Sequence, residues 1–209
     1  MVHFRKNKME QLTEFQLDAL KEICSIGAGN AATVISQMAK RKIDMSFPNI
    51  EIIPAEKIID NIGRPQEVIA GVYCKTVGDF SSGFLLTFSK ESAFILVDIL
   101  LNRHIGKTKA LGELEKSALQ EMGNIIIGAF VNALSKIVNR PFFISVPKIA
   151  FDITRSVFDF LLIELVKIVE KAIVMEIVFY DVSKTIHGKF FILLDIESLE
   201  FLFSAIKLK

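Results

Sequence analysis

LDALKEICSIGAGNAATVISQMAKRKIDMSFPNI, residues 17–50, aligns without a gap to KSALQEMGNIIIGAFVNALSKIVNRPFFISVPKI, residues 116–149, at an offset of 99. Ten of the 34 positions are identical: Ala19/Ala118, Leu20/Leu119, Glu22/Glu121, Ile26/Ile125, Gly29/Gly128, Ser36/Ser135, Arg41/Arg140, Ser46/Ser145, Pro48/Pro147 and Ile50/Ile149. Self-similarity over such a length marks a duplicated unit. The chain reads as two repeats, about 10–105 and 110–207, within a single domain over 1–209.

The likeness extends past the aligned stretch in each half. In the first half, helical periodicity over 13–40 leads to a strand at 43–53 beside Pro48 and a short helix near 55–61. A strand at 67–78, the turn GDFSSG, a strand at 84–89 and a helix at 90–102 complete it. The second half has a helix at 112–139, a strand at 142–152 and an apolar segment at 154–168 that reads as helix. Strands at 171–181 and 189–195 flank the turn SKTIHG, and a helix at 196–206 closes the chain. Hairpins with helices segregated from them point to α+β rather than alternating βαβ. The expected fold is a pseudo-two-fold pair of α-β-β-β-α units sharing one mainly antiparallel sheet. Two long helices then lie on one face, and each half buries its apolar face on the other.

Composition excludes several function classes. The 209 residues carry 25 Lys+Arg against 24 Asp+Glu, a net charge of +1, so the basic footprint of a general nucleic-acid binder is absent. Hydrophobic residues make up 51%, too many for a disordered chain. The greasiest stretch, 156–179, is interrupted by Asp159, Glu164, Lys167, Glu170 and Lys171, which argues against membrane insertion. MVHFRKNKMEQ has no apolar run of the kind a signal peptide needs, so the expected location is cytoplasmic. Cys24 and Cys74 fit a reducing compartment, and with His3, His104 and His187 scattered, no zinc or Cys/His nucleophile pattern can be assembled.

Two motifs remain. IGAGNAA, 26–32, matches the G-x-G-x-x-A of dinucleotide loops, which need a strand before the glycines and a free helix N-terminus after them. Here FQLDALKEICSI precedes it with helical periodicity, and the second copy keeps only Gly128, so small residues for close helix crossing are the better account. Ser117, Glu121 and Asn124 are more informative. At i, i+4 and i+7 they fall within about 60° around a helix axis, bordering the apolar face and pointing to solvent. A solvated helix face would explain one such stripe. Asp18, Glu22 and Ser25 repeat it at the same offset, and Pro48 and Pro147 lie at equal distance beyond.

The pattern Asp/Ser-x3-Glu-x2-Asn, then 22 residues, then Pro, resembles the signature of the CheC/CheX/FliY chemotaxis phosphatases. The second copy matches in full at Ser117, Glu121, Asn124 and Pro147; the first matches at Asp18, Glu22 and Pro48 but has Ser25 in place of Asn. LKEICSIGAGNAA is close to the CheC wording, and the doubled arrangement over the whole chain is that of CheC. The resemblance implies hydrolysis of the aspartyl phosphate of a CheY-like response regulator. It makes Asn124 the group that orients the attacking water and Glu121 the partner of the regulator's lysine. Ser117 and Pro147 are supporting residues, and the first site is degenerate. It implies no cofactor of the chain's own, Mg²⁺ being carried by the regulator, and a CheD-type deamidase as a further partner. A non-catalytic adaptor of the same fold, or a regulator that binds CheD, is the alternative.

Overall fold

The computed structural model describes residues 13–77, 82–164, 171–181 and 184–207. The first half runs α1 (Glu14–Ala39), β1 (Asp44–Ser46), β2 (Ile50–Pro54), a turn of 3-10 helix at Ala55–Lys57, α2 (Ile58–Ile62), β3 (Val68–Val77), β4 (Ser82–Ser89) and α3 (Lys90–Leu100). The second runs α4 (Glu113–Val138), β5 (Phe143–Ile144), β6 (Lys148–Ile153), α5 (Thr154–Glu164), β7 (Lys171–Asp181), β8 (Lys184–Leu194) and α6 (Ile196–Lys207).

The two long helices are delimited by local chemistry. Thr13 opens α1 with a capping box: its hydroxyl accepts from the Gln16 N–H (3.2 Å), and the Gln16 carboxamide oxygen accepts from the Thr13 N–H (2.9 Å). Both helices end on a left-handed residue, Lys40 and Asn139, each with φ 52°. The N–H groups of Arg41 and Arg140 then return to the carbonyls of Ser36 and Ser135 (3.2 and 3.1 Å). The hydroxyls of the same serines accept from the N–H groups of Ile43 and Phe142 (2.9 and 3.1 Å). The Ser36/Ser135 identity thus sets the direction in which the chain leaves each helix.

The strands form one curled antiparallel sheet in which the halves exchange edges. Among the described residues its order is β1-β7-β8-β4-β3-β5, with β2 also on β7 and β6 also on β3. The first half lends β1 and β2 to the hairpin of the second, and the second lends β5 and β6 to the hairpin of the first. The halves meet at the centre, where β4 pairs with β8 and Leu85 lies opposite Phe191. This is the expected pseudo-two-fold fold, all of its strand pairs antiparallel.

α1 and α4 pack side by side on one face, flanked by α3 and α6. Phenylalanines fill the space beneath them: Phe130 meets Phe190 edge-on (5.2 Å between centroids), and Phe190 stacks on Phe84 (6.1 Å). By length and composition α4 could cross a membrane, but its Leu119, Met122, Ile126, Ile127, Phe130 and Val131 are buried in this core. The opposite face is covered in part by α2 and α5, through Ile58, Ile62 and Val157 over Leu85, Val174 and Phe191.

Three expectations change. The strand expected at 43–53 is two short ones, with Pro48 in the break; that at 142–152 is likewise split around Pro147. A proline cannot donate to a ladder, so pairing stops there. The turn SKTIHG is largely strand, since β8 begins at Lys184. Gly188 is small for packing: a Cβ there would lie 2.4 Å from Phe88 Cε1. The helix expected at 154–168 is described to Glu164, and the rest of it, like residues 78–81 of GDFSSG, lies outside the described residues.

Candidate functional site

The glycines of IGAGNAA sit in mid-helix, where backbone N–H groups are already used within α1. A Cβ on Gly27 would lie 3.2 Å from the Phe130 Cα, so this glycine serves the close crossing of α1 and α4. The dinucleotide reading therefore has no site.

The second stripe forms a shaped surface. Ser117, Glu121 and Asn124 line an open depression of about 500 Å³, together with Gln120 of α4 and the segment Ile144, Ser145, Val146 and Pro147. Ser117 and Glu121 are exposed, and Asn124 is half-buried. The side chains on the inner side of the same turns, Leu119, Met122 and Ile126, anchor the stripe in the core. The helical spacing alone predicts a bare helix face; the break at Pro147 instead lays a second wall across it. Gln120, which carries no signal in the sequence, joins the two walls: its carboxamide N–H donates to the Pro147 carbonyl at 2.7 Å.

The N-terminal end of α4 is fixed by charge. Glu115 accepts from the Gly112 N–H (3.0 Å) and from the Arg103 guanidinium (2.7 Å). The Arg103 hydrogen bond is the main reason its carboxyl is held below the usual range.

The first stripe is differently furnished. Asp18, Glu22, Ser25 and Pro48 are all exposed. Lys21 stands in the place of Gln120, its ammonium 3.7 Å from the Asp18 carboxylate. Phe47, in the place of Val146, turns inward with its ring centroid 6.0 Å from that of Phe190, whereas Val146 is 80% exposed. Asn49 donates to the Glu176 carboxylate (2.8 Å), tying this segment to β7. Cys24, next to Ser25, points into the core, 2% exposed, with its Sγ 3.2 Å from the Met175 Sδ. Burial pushes its thiol up to about 12, and that of Cys74 likewise.

A second depression, about 520 Å³, lies on the other face of the sheet. Several of its polar side chains are already engaged: His187 pairs with Glu176 (3.0 Å), and Lys189 donates to the main-chain carbonyl of Asn61. Among the described residues, no group of three His, Cys, Asp or Glu side chains is placed to hold a metal ion.

A sequence profile of the CheC-like family matches residues 15–52 and 114–150, the two stretches that contain the stripes and their prolines. The chain is 31% identical over 201 residues to the CheY-P phosphatase CheC of Bacillus subtilis, covering 93% of this chain and 95% of that one. It is 30% identical over 151 residues to the flagellar motor switch phosphatase FliY of the same organism, covering 71% of this chain and 39% of that longer one. The crystal structure of Thermotoga maritima FliY superposes with a TM-score of 0.76 at 19% identity, over 95% of this chain and 98% of that one. The chain belongs to the CheC-like family, which includes named CheY-P phosphatases.

Proposed function

We propose that this member of the family hydrolyses the aspartyl phosphate of a CheY-like response regulator in the cytoplasm, mainly through the stripe on α4. The observation that carries the reading is the convergence of Ser117, Glu121, Asn124 and Pro147 on one open depression. In this reading the two repeats act together as one domain, which is supported by the way each half completes the other's sheet among the described residues.

An open site suits the reaction. The phosphorylated aspartate sits on a folded protein, so a protruding helix can enter the regulator's site where a deep pocket could not. Phosphoryl transfer calls for positioning and charge stabilisation more than for a covalent intermediate. The Asn124 carboxamide oxygen accepts from the attacking water and holds it in line with phosphorus, while its NH₂ is free to donate. The water oxygen bonds to phosphorus and the bond from phosphorus to the aspartyl oxygen breaks. Inorganic phosphate and a free carboxylate leave, the water's proton passing to phosphate. Glu121, exposed one turn earlier, pairs with the regulator's lysine and sets the depth of insertion. Mg²⁺ belongs to the regulator in this reading. Ser25 reaches less far than an asparagine, so the first stripe contributes little.

The test is the decay of a ³²P-labelled CheY-like regulator with and without this protein. Catalytic amounts should speed it, and Glu121→Ala should weaken the effect mainly through KM. Decay at the regulator's own rate would remove the reading and leave a non-catalytic adaptor.

A further inference from the structure

We propose that Gln120 is a positioning residue of this same site, an inference that rests on the phosphatase reading. Its carboxamide holds the 144–147 segment over α4 as the wall against which the regulator docks. β5 and β6 carry the two ends of the segment on β3, and two contacts fix the stretch between them. At one, the Ser145 N–H donates to the Lys75 carbonyl (2.8 Å) and the Ser145 hydroxyl accepts from the Lys75 N–H (3.1 Å), so β3 holds it. At the other, Gln120 donates to the Pro147 carbonyl at 2.7 Å. Val146 lies between the two points and is 80% exposed, the apolar crest of the wall. Gln120 and Asn124 are i and i+4 on α4, so the residue that holds the wall neighbours the one that orients water.

The first copy makes the contrast. Lys21 replaces Gln120 and pairs with Asp18, and Phe47 replaces Val146 and packs toward the core instead of outward. The two copies therefore differ in their walls as well as at Ser25. A carboxamide NH₂ satisfies a carbonyl; a carboxylate of the same shape cannot, and a thioether donates nothing.

Gln120→Glu and Gln120→Met each remove the donor at nearly constant size. With the full chain, KM for the phosphorylated regulator should rise about fivefold, the loss of one hydrogen bond, with kcat within about twofold. Hydrogen exchange in peptides spanning 143–148 should quicken in both variants, with the melting temperature little changed. Unchanged KM, or a raised KM without faster exchange there, overturns the proposal. If the unsubstituted protein does not speed decay at all, the phosphatase reading has failed, whereas unchanged exchange shows separately that Gln120 does not hold the wall.

Discussion

Gly123 lies directly against Val72: a Cβ on the glycine would come 2.5 Å from Val72 Cγ1 and 2.8 Å from its Cβ. The residue before Asn124 is thus the point at which α4 rests on β3. At the corresponding place in the first half, Cys24 faces Met175, sulfur to sulfur at 3.2 Å. Gly123→Ala should destabilise by about 2 kcal/mol through overpacking, despite alanine's better helix propensity, and should lower phosphatase activity by lifting Asn124. Val72→Ala in the same chain should recover part of both losses. Urea unfolding of the single and double variants measures the coupling, and additive effects would deny the contact its role.

Edge exchange makes the halves interdependent. Residues 1–105 alone would leave β3 without β5 and β6, and β1 and β2 without β7. The fragment should elute as an aggregate or a dimer and show no cooperative monomeric melt. A monomeric, two-state transition would mean that the half has a sufficient core of its own.

The connection between the halves is held by Asp98, which is fully buried. It accepts from the N–H groups of Gly106 (2.7 Å), Lys107 (3.0 Å) and Thr108 (2.9 Å), and from the Thr108 hydroxyl (2.6 Å). Asp98→Ala should cost about 3 kcal/mol, because polar groups of the linker lose their acceptor. A change in denaturation midpoint within error would show that water replaces the carboxylate.

Much of this architecture is readable in the sequence, and its gaps have definite causes. The alignment of the two halves stands out because the serines at the helix ends and the prolines beyond them recur at fixed spacing, Ser36/Ser135 and Pro48/Pro147, whereas the left-handed ends differ, Lys40 against Asn139. The exchange of strands is hidden, since local pattern says which residues pair but not with whom. Gly188 reads as a turn residue because sequence does not reveal a phenylalanine ring 2.4 Å from its missing Cβ. Cys24 neighbours Ser25 in the chain, yet it belongs to the buried side and does not crowd the first stripe. Gln120 looks like any polar residue on a solvated helix; only the fold brings Pro147 within its reach.

Glu115 supplies a pH signature. Its carboxyl is lowered chiefly by the Arg103 hydrogen bond, so the pairing stabilises the fold fully above the ordinary carboxyl value and is lost as pH falls through the lowered one. Glu115→Gln should therefore melt below the unsubstituted protein at pH 7, and the gap should close as pH falls below 4.5. A gap independent of pH would locate the effect elsewhere.

Repairing the first stripe should need more than one change. In an Asn124→Ala background, Ser25→Asn alone should return less turnover than Ser25→Asn with Lys21→Gln, which also replaces an ammonium drawn to Asp18 with the carboxamide found at Gln120. Equal recovery would mean that the water-orienting amide is all the first copy lacks. Since Cys24 points inward, Cys24→Gly should add nothing.

The central claim, that Asn124 carries the chemistry and Ser25 does not, is tested most directly by first-order decay of the phosphorylated regulator with three proteins: unsubstituted, Asn124→Ala and Ser25→Ala. The account predicts that Asn124→Ala loses on the order of a hundredfold in acceleration while Ser25→Ala keeps the unsubstituted rate. Full acceleration by Asn124→Ala, or its loss in Ser25→Ala, would contradict it.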